Sequence, residues 1–328
     1  MKRFFLVLLI ITVLLVMISC GSDDVADTTE HVHSFSLKQE VKASCTEQGY
    51  SLYACSCGIT NNYLTGPFGH SYVHGACERC GIFASASEGL GFIFNSETDT
   101  YTLVDASDCK DKDVVIPETY NGKPVDTIQI QVFIDYPFES ISIPSTVKYI
   151  DQGNTHEAGT FDTINLVQIN VHPDNPVFAS VDNCLIDKTT KTLVLGCKNS
   201  KIPSDGSVKI IGGWAFYNCE DLETLEIPEG VETIYAMAFY YCRNLKTVNI
   251  PSTMKFIGTD AFGTCPALEK IYFSQSVEKW RVLAEMDGDP DYDPDFEIGP
   301  YYPITPLRDI TVICTDGRII MTSDDFDY

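Results

Sequence analysis

The chain has 328 residues, 44% of them hydrophobic and 21% charged. That length exceeds one ordinary compact core, so several units or a repeat array are expected, and the composition excludes a wholly disordered protein. The formal net charge of −24 excludes binding to nucleic acid through clustered Lys and Arg, and it suits a surface protein whose copies repel one another.

The chain opens with Lys2 and Arg3, followed by an apolar run from Phe4 to Ile18 broken only by Thr12. The run is short for a membrane span, which needs about 20 residues. The string Val16-Met17-Ile18-Ser19-Cys20 resembles a lipobox, in which a small residue precedes the cysteine that is acylated. Residues 1–19 are therefore expected to be a lipoprotein signal peptide. Cys20 is the expected lipidation site, holding the protein on the cell envelope with its body displayed at the surface. Residues 20–32 are polar and aperiodic and read as a tether.

Residues 33–85 form a Cys/His-rich module resembling a zinc ribbon. Cys55-Ser56-Cys57-Gly58 and Cys77-Glu78-Arg79-Cys80-Gly81 are its core. Gly after each pair permits the left-handed turn that aims both sulfurs at one point. The pairs lie 19 residues apart, close to zinc-ribbon spacing, although the first is Cys-x-Cys, one residue short of the usual knuckle. Cys55, Cys57, Cys77 and Cys80 are the expected ligands of one structural zinc, with Cys45, His33 and His70 as possible substitutes. A disulfide-stapled module is the open alternative. No Glu or Asp is placed as a general base, which argues against catalytic zinc. The segment also resembles a small module of bacterial surface proteins, through His33-Ser34-Phe35, Ala43-Ser44-Cys45, Gly49-Tyr50, Tyr53-Ala54-Cys55, Gly69-His70-Ser71-Tyr72 and the two Cys-Gly knuckles.

From residue 88 to 275 the expectation is a mainly β leucine-rich-repeat solenoid with short turns or helices. Three stretches keep a 23-residue step: Phe216, Phe239 and Phe262; Cys219, Cys242 and Cys265; Leu225, Val248 and Ile271. Weaker copies lie at Ile141-Ser142-Ile143-Pro144 and Val114-Val115-Ile116-Pro117. Each Leu-x-x-Leu-x-Ile reads as a strand whose alternate residues face inward. Leu225 and Ile227 then point to the core. Thr224, Glu226, Thr247, Asn249, Lys270 and Tyr272 form an outward row, which Ser140 and Ser142 continue on an earlier coil. A hairpin inserted near 177–200 breaks the rhythm. The coil cysteines read as small buried side chains rather than a redox site.

Ala215-Phe216-Tyr217-Asn218-Cys219, Ile227-Pro228, Val231-Glu232-Thr233-Ile234 and their copies resemble the BspA-like bacterial surface leucine-rich-repeat family. Ile271-Tyr272-Phe273, Trp280 and Val312-Ile313-Cys314 look like the closing cap of such arrays, placed at 276–328. The cap contains alternating carboxylates from Glu285 to Glu297. An EF-hand begun at Asp287 has Tyr292 where Gly is needed and Ile298 where Glu is needed, so the run reads as a solvated acidic loop. No nucleophile elbow, P-loop, dinucleotide fingerprint or His-Glu-x-x-His occurs, and His156 and His172 stand without a nucleophile at suggestive spacing. The resemblance implies a non-enzymatic surface lipoprotein that binds a host or neighbouring-cell protein or glycan. A structural envelope lipoprotein without an external ligand is the alternative.

Overall fold

Among the described residues, short β-branched and apolar runs separated by Gly, Pro and Asx turns give many short strands and one helix. The computed structural model describes residues 33–129, 132–133, 138–151, 163, 165–284 and 309–322. The lipobox with Cys20, the tether, His156 and the acidic loop lie outside the described residues. The chain divides into two compact units, Met1–Phe68 and Gly69–Tyr328.

In the first unit, β1 (Ser36–Val41), β2 (Gly49–Ala54) and β3 (Thr60–Thr65) form an antiparallel sheet in that order. β1 is exposed along its whole length and β3 nearly so. Cys45, Gly49 and Cys55 are the buried residues among those described in this unit. Two of the three are thiols, and among the described residues no apolar layer packs beneath the sheet.

The second unit begins with a small hairpin, β4 (Tyr72–Val73) and β5 (Ala76–Cys77), joined by His74-Gly75. Both turn residues have positive φ, 49° and 77°, the conformation of a two-residue hairpin turn that matches strand twist. There follow β6 (Gly91–Asn95), β7 (Thr100–Asp105), β8 (Asp113–Val115), β9 (Thr119–Tyr120), β10 (Lys123–Ile128), β11 (Ser140–Ile143), β12 (Tyr149–Ile150) and β13 (Gln168–Val171). β14 (Phe178–Val181), β15 (Cys184–Asp187) and β16 (Thr192–Leu195) form an antiparallel meander. The regular coils supply β17 (Ile210–Ile211), β18 (Thr224–Glu226), β19 (Thr233–Ile234), β20 (Thr247–Ile250), β21 (Phe256–Ile257) and β22 (Lys270–Phe273). Helix α1 (Val277–Ala284) and the hairpin β23 (Ile310–Cys314) and β24 (Gly317–Met321) close the array.

Each coil gives one strand to each of two parallel rows, which makes the unit a leucine-rich-repeat solenoid. One row runs β18-β20-β22-β23, and the other β17-β19-β21. The register is one coil per step: Leu225 opposite Val248 opposite Ile271, and Ile211 opposite Ile234 opposite Ile257. All six side chains are buried. The earlier coils repeat the arrangement with β8-β11-β13 and β7-β10-β12.

The meander is buried on both faces and separates two cores. Cys184, Ile186 and Leu193 pack with the regular coils, while Leu185 and Leu195 pack with the earlier ones. Two-sided burial explains why Cys184-Leu185-Ile186 and Leu193-Val194-Leu195 are unbroken apolar runs rather than alternating ones.

The turns joining the rows are also periodic. Trp214, Met237 and Asp260 have φ of 59°, 56° and 49°; Asn218, Tyr241 and Thr264 have φ of 60°, 63° and 52°. Left-handed backbone costs a non-Gly residue of order 1 kcal/mol. Ladder bonds between coils hold it in place: Phe216 N–H donates to Ala238 O at 2.7 Å, and Phe239 N–H to Ala261 O at 2.8 Å. The rings of Phe216, Phe239 and Phe262 stack, with centroids 5.0 and 5.3 Å apart. Charges stack with the same step. Glu232 accepts from Lys209 and Lys255 on the coils either side, and these two ammonium groups hold its carboxyl down at about 2.

Candidate metal centres and the outer sheet face

The outer face of the regular coils is set by strand pairing. Thr224, Thr247, Lys270 and Thr311 lie opposite one another in register, as do Glu226, Asn249, Tyr272 and Ile313. Thr224, Glu226, Lys270 and Tyr272 are exposed, and Thr247 and Asn249 are half-buried. The intervening Leu225, Val248, Ile250, Ile271 and Phe273 are buried, so the two-residue alternation holds on all three strands. Within the row Asn249 donates to the Glu226 carboxylate, which fixes both side chains. Lys246 pairs with Glu223 at 2.8 Å along its edge.

The row does not continue onto the earlier coil. Ser140 and Ser142 point to the same side but are wholly buried, because residues 74–87 of the same unit lie over them. His74 Nδ1 lies 3.2 Å from Asp113 Oδ1, and Ser140 donates to that same oxygen at 2.6 Å. Asn170 donates to His74 O at 2.7 Å. A Cβ on Gly75 would sit 2.9 Å from Ser142 Oγ, so the close approach requires glycine. Ser87 exchanges two bonds with Val115, its N–H to the carbonyl and its Oγ accepting from Val115 N–H. The expectation that these serines extend the open row is thus corrected: their outward side serves an internal contact that strand periodicity cannot reveal.

Each unit brings one His-Cys-Cys trio together. In the first, His33, Cys55 and Cys57 place their ligand atoms within 4.8 Å of one another. Cys57 Sγ is 3.2 Å from His33 Nδ1. In the second unit His70, Cys77 and Cys80 meet the same limit, with Cys80 Sγ 3.5 Å from His70 Nδ1. The knuckles match in backbone detail. Gly58 N–H donates to Cys55 O, and Cys55 N–H to Ile59 O; Gly81 N–H donates to Cys77 O, and Cys77 N–H to Ile82 O. Gly58 and Gly81 have φ of 93° and 71°, which explains the glycines. The Cys77 thiol is pulled down to about 5, first by the Arg79 backbone N–H, then by His70 and the N–H groups of Cys80 and Ser71. Cys77 is therefore poised as a thiolate, the form that binds metal.

Sequence reading ranked His33 and His70 as substitutes, yet each faces a cysteine pair. The signal for them was present in the repeated His-Ser-aromatic string. The ring of Phe35 lies 5.8 Å from His33, and that of Tyr72 stacks on His70 at 5.5 Å.

The coil cysteines lie in the core, where burial pushes the Cys219 thiol up to about 12 and holds the Cys242 thiol well above its ordinary range. They also bond between coils: Cys242 Sγ donates to Phe216 O, and Cys265 Sγ to Phe239 O, each at 3.3 Å. A small side chain with a weak donor fits this position, and neutral thiols there are chemically inert.

A scan against known families adds the decisive observation. The family described as "BspA type Leucine rich repeat region" matches residues 193–284, in 6 copies. Residues 193–284 are a BspA-type leucine-rich repeat region. The match begins at the last strand of the meander and ends in α1. No curated protein matches the chain significantly. Among solved structures, the pneumococcal vaccine antigen PcpA is 19% identical over 50% of this chain and 46% of its own, with a TM-score of 0.41. A leucine-rich repeat protein from Eubacterium ventriosum is 23% identical over 46% of this chain and 40% of its own, with a TM-score of 0.38. One from Bacteroides ovatus is 24% identical over 58% and 47%, with a TM-score of 0.36. The chain thus spans less than half the length of each of these three.

The BspA-type region ends in a cap. Ser276 accepts at the start of α1, where Trp280 N–H reaches its carbonyl at 3.1 Å. Trp280 is buried against Phe273, with ring centroids 5.6 Å apart. Asp316 accepts from Val277 N–H at 2.8 Å, which ties the helix to the closing hairpin. A cleft of about 530 Å³ lies between α1 and the last coils, lined in part by Met254, Phe273 and Leu283.

Proposed function

We propose that this chain is a surface-displayed lipoprotein whose BspA-type repeat region binds a protein or glycan, with no catalytic role. The observation that carries the reading is the outer row of Thr224, Glu226, Thr247, Asn249, Lys270 and Tyr272. These residues lie in register on three neighbouring strands, and the buried alternates let them vary without disturbing the core. Hydroxyl, amide and charged groups beside one exposed aromatic suit a polar partner, with Tyr272 as the anchor. Replacing Glu226, Asn249 and Tyr272 together by Ala is expected to leave the far-ultraviolet spectrum unchanged. Attachment to the partner surface is expected to weaken about tenfold or more, since truncating an interface anchor typically costs over 1 kcal/mol. Full attachment by the triple mutant, with loss on deleting residues 33–68, would move the binding role to the cysteine module.

The membrane partner in this reading is the lipid on Cys20. The support is the apolar run that ends at Ser19-Cys20. Cys20→Ser is expected to abolish fatty-acid labelling and to shift the protein from the membrane to the soluble fraction. Continued labelling of that variant would sink the assignment. The cysteine module in this reading is held by structural zinc, since its described residues bury almost no apolar surface and a unit this small needs a staple.

A further inference from the structure

We propose that the chain carries two zinc centres of His-Cys-Cys type, His33 with Cys55 and Cys57, and His70 with Cys77 and Cys80. The proposal rests on the zinc reading of the module and goes beyond it in the number and make-up of the centres. Each trio lies within a single compact unit, so each can be assembled by its own unit.

The geometry fits zinc. With Zn–S about 2.3 Å and Zn–N about 2.0 Å at tetrahedral angles, a ligating sulfur and nitrogen lie about 3.5 Å apart. The observed sulfur–nitrogen separations are 3.2 Å and 3.5 Å, and every pair within each trio is inside 4.8 Å. Thiolate and imidazole together select zinc over the hard cations, which take oxygen ligands.

The two trios are also built alike. Each histidine begins a His-Ser-aromatic string, and the aromatic ring lies beside its imidazole. Each cysteine pair closes with Cys-Gly-Ile, and the same two backbone bonds fold both knuckles. A disulfide within each pair gives the imidazoles no reason to face the sulfurs. Metal binding does, and it explains why the buried Cys55 thiol stands where the first unit would otherwise need a core. Zinc entering each centre displaces the proton of any thiol still protonated and accepts the lone pair of a neutral imidazole nitrogen.

The test is metal analysis of the whole chain, purified under reducing conditions from cells grown with zinc and dialysed against a weak chelator. Two zinc ions per chain are expected by plasma mass spectrometry. H33A or C57S should leave one, H70A or C80S should leave the other, and H33A/H70A should leave almost none. The wild-type chain supplies a second readout that does not depend on any variant folding. Titration of the zinc-stripped protein with cobalt should raise thiolate-to-metal absorption linearly to two equivalents. One zinc per chain that survives H33A and H70A but is lost in each of C55S, C57S, C77S and C80S would overturn the two-centre proposal in favour of a single four-cysteine site. A chain purified in parallel without reductant that is metal-free and lighter by two hydrogens per cysteine pair would overturn the zinc reading itself.

Discussion

Phe239→Ala is expected to lower the stability of the repeat region by about 3–5 kcal/mol, the range for deleting a buried aromatic ring. The ring is fully buried between Phe216 and Phe262, with centroids 5.0 and 5.3 Å away and nearly parallel planes. Removing it deletes apolar contact on both sides and unsupports the left-handed turns at Met237 and Tyr241 that flank it. The backbone of Phe239 bonds to the coil after it, and its carbonyl accepts from Cys265 Sγ. The damage should therefore spread along the array, because each coil is stabilised mainly by its neighbours. Urea denaturation followed by circular dichroism measures it. Thr224→Ala, at an exposed position of the same region, should change stability by no more than roughly 0.5 kcal/mol. Equal losses at the two positions would contradict the division into core and outer face.

Periodicity made the regular coils readable before any coordinates. A residue type that returns every 23 positions, flanked by alternating apolar residues, has one economical explanation, and Leu225, Val248 and Ile271 do stack in one row. The covering of Ser140 and Ser142 was not readable, since it depends on residues 74–87, more than about 50 positions earlier, packing on a sheet face. Local patterns report which way a side chain points but not what later covers it. The left-handed turns were hidden for another reason. Trp214, Met237 and Asp260 share a backbone state but no side-chain chemistry, and glycine, the usual marker, is absent. The double role of the meander had a visible signature, since unbroken apolar runs mark strands buried on both faces. The histidines also had one, in the doubled His-Ser-aromatic string, a weaker signal than the spacing of the cysteine pairs. Cys20 and the acidic loop lie outside the described residues.

Gly196→Ala is expected to destabilise the repeat region by about 1–3 kcal/mol, as overpacking of a filled core does. Gly196 follows β16 at the junction of the two cores. Its N–H donates to Ala215 O at 2.8 Å, the same inter-coil bond that Phe216 and Phe239 make to the coils after them. Gly196 therefore occupies the phenylalanine position of the coil before the first ring of the stack. A methyl group there would lie 2.0 to 2.7 Å from atoms of the Phe216 ring, so either the ring or the backbone must shift. The stack begins at Phe216 because the preceding position has no side chain. Two further measurements separate this cause from a general intolerance of alanine. Gly66→Ala, where a Cβ meets nothing within 4 Å, should be neutral or slightly stabilising. Phe216→Leu withdraws the clashing ring edge, so in its background Gly196→Ala should cost at least about 1 kcal/mol less than in the wild type, a coupling typical of residues in contact. Additive effects in the double mutant would place the cost of Gly196→Ala in its backbone rather than in the ring it faces.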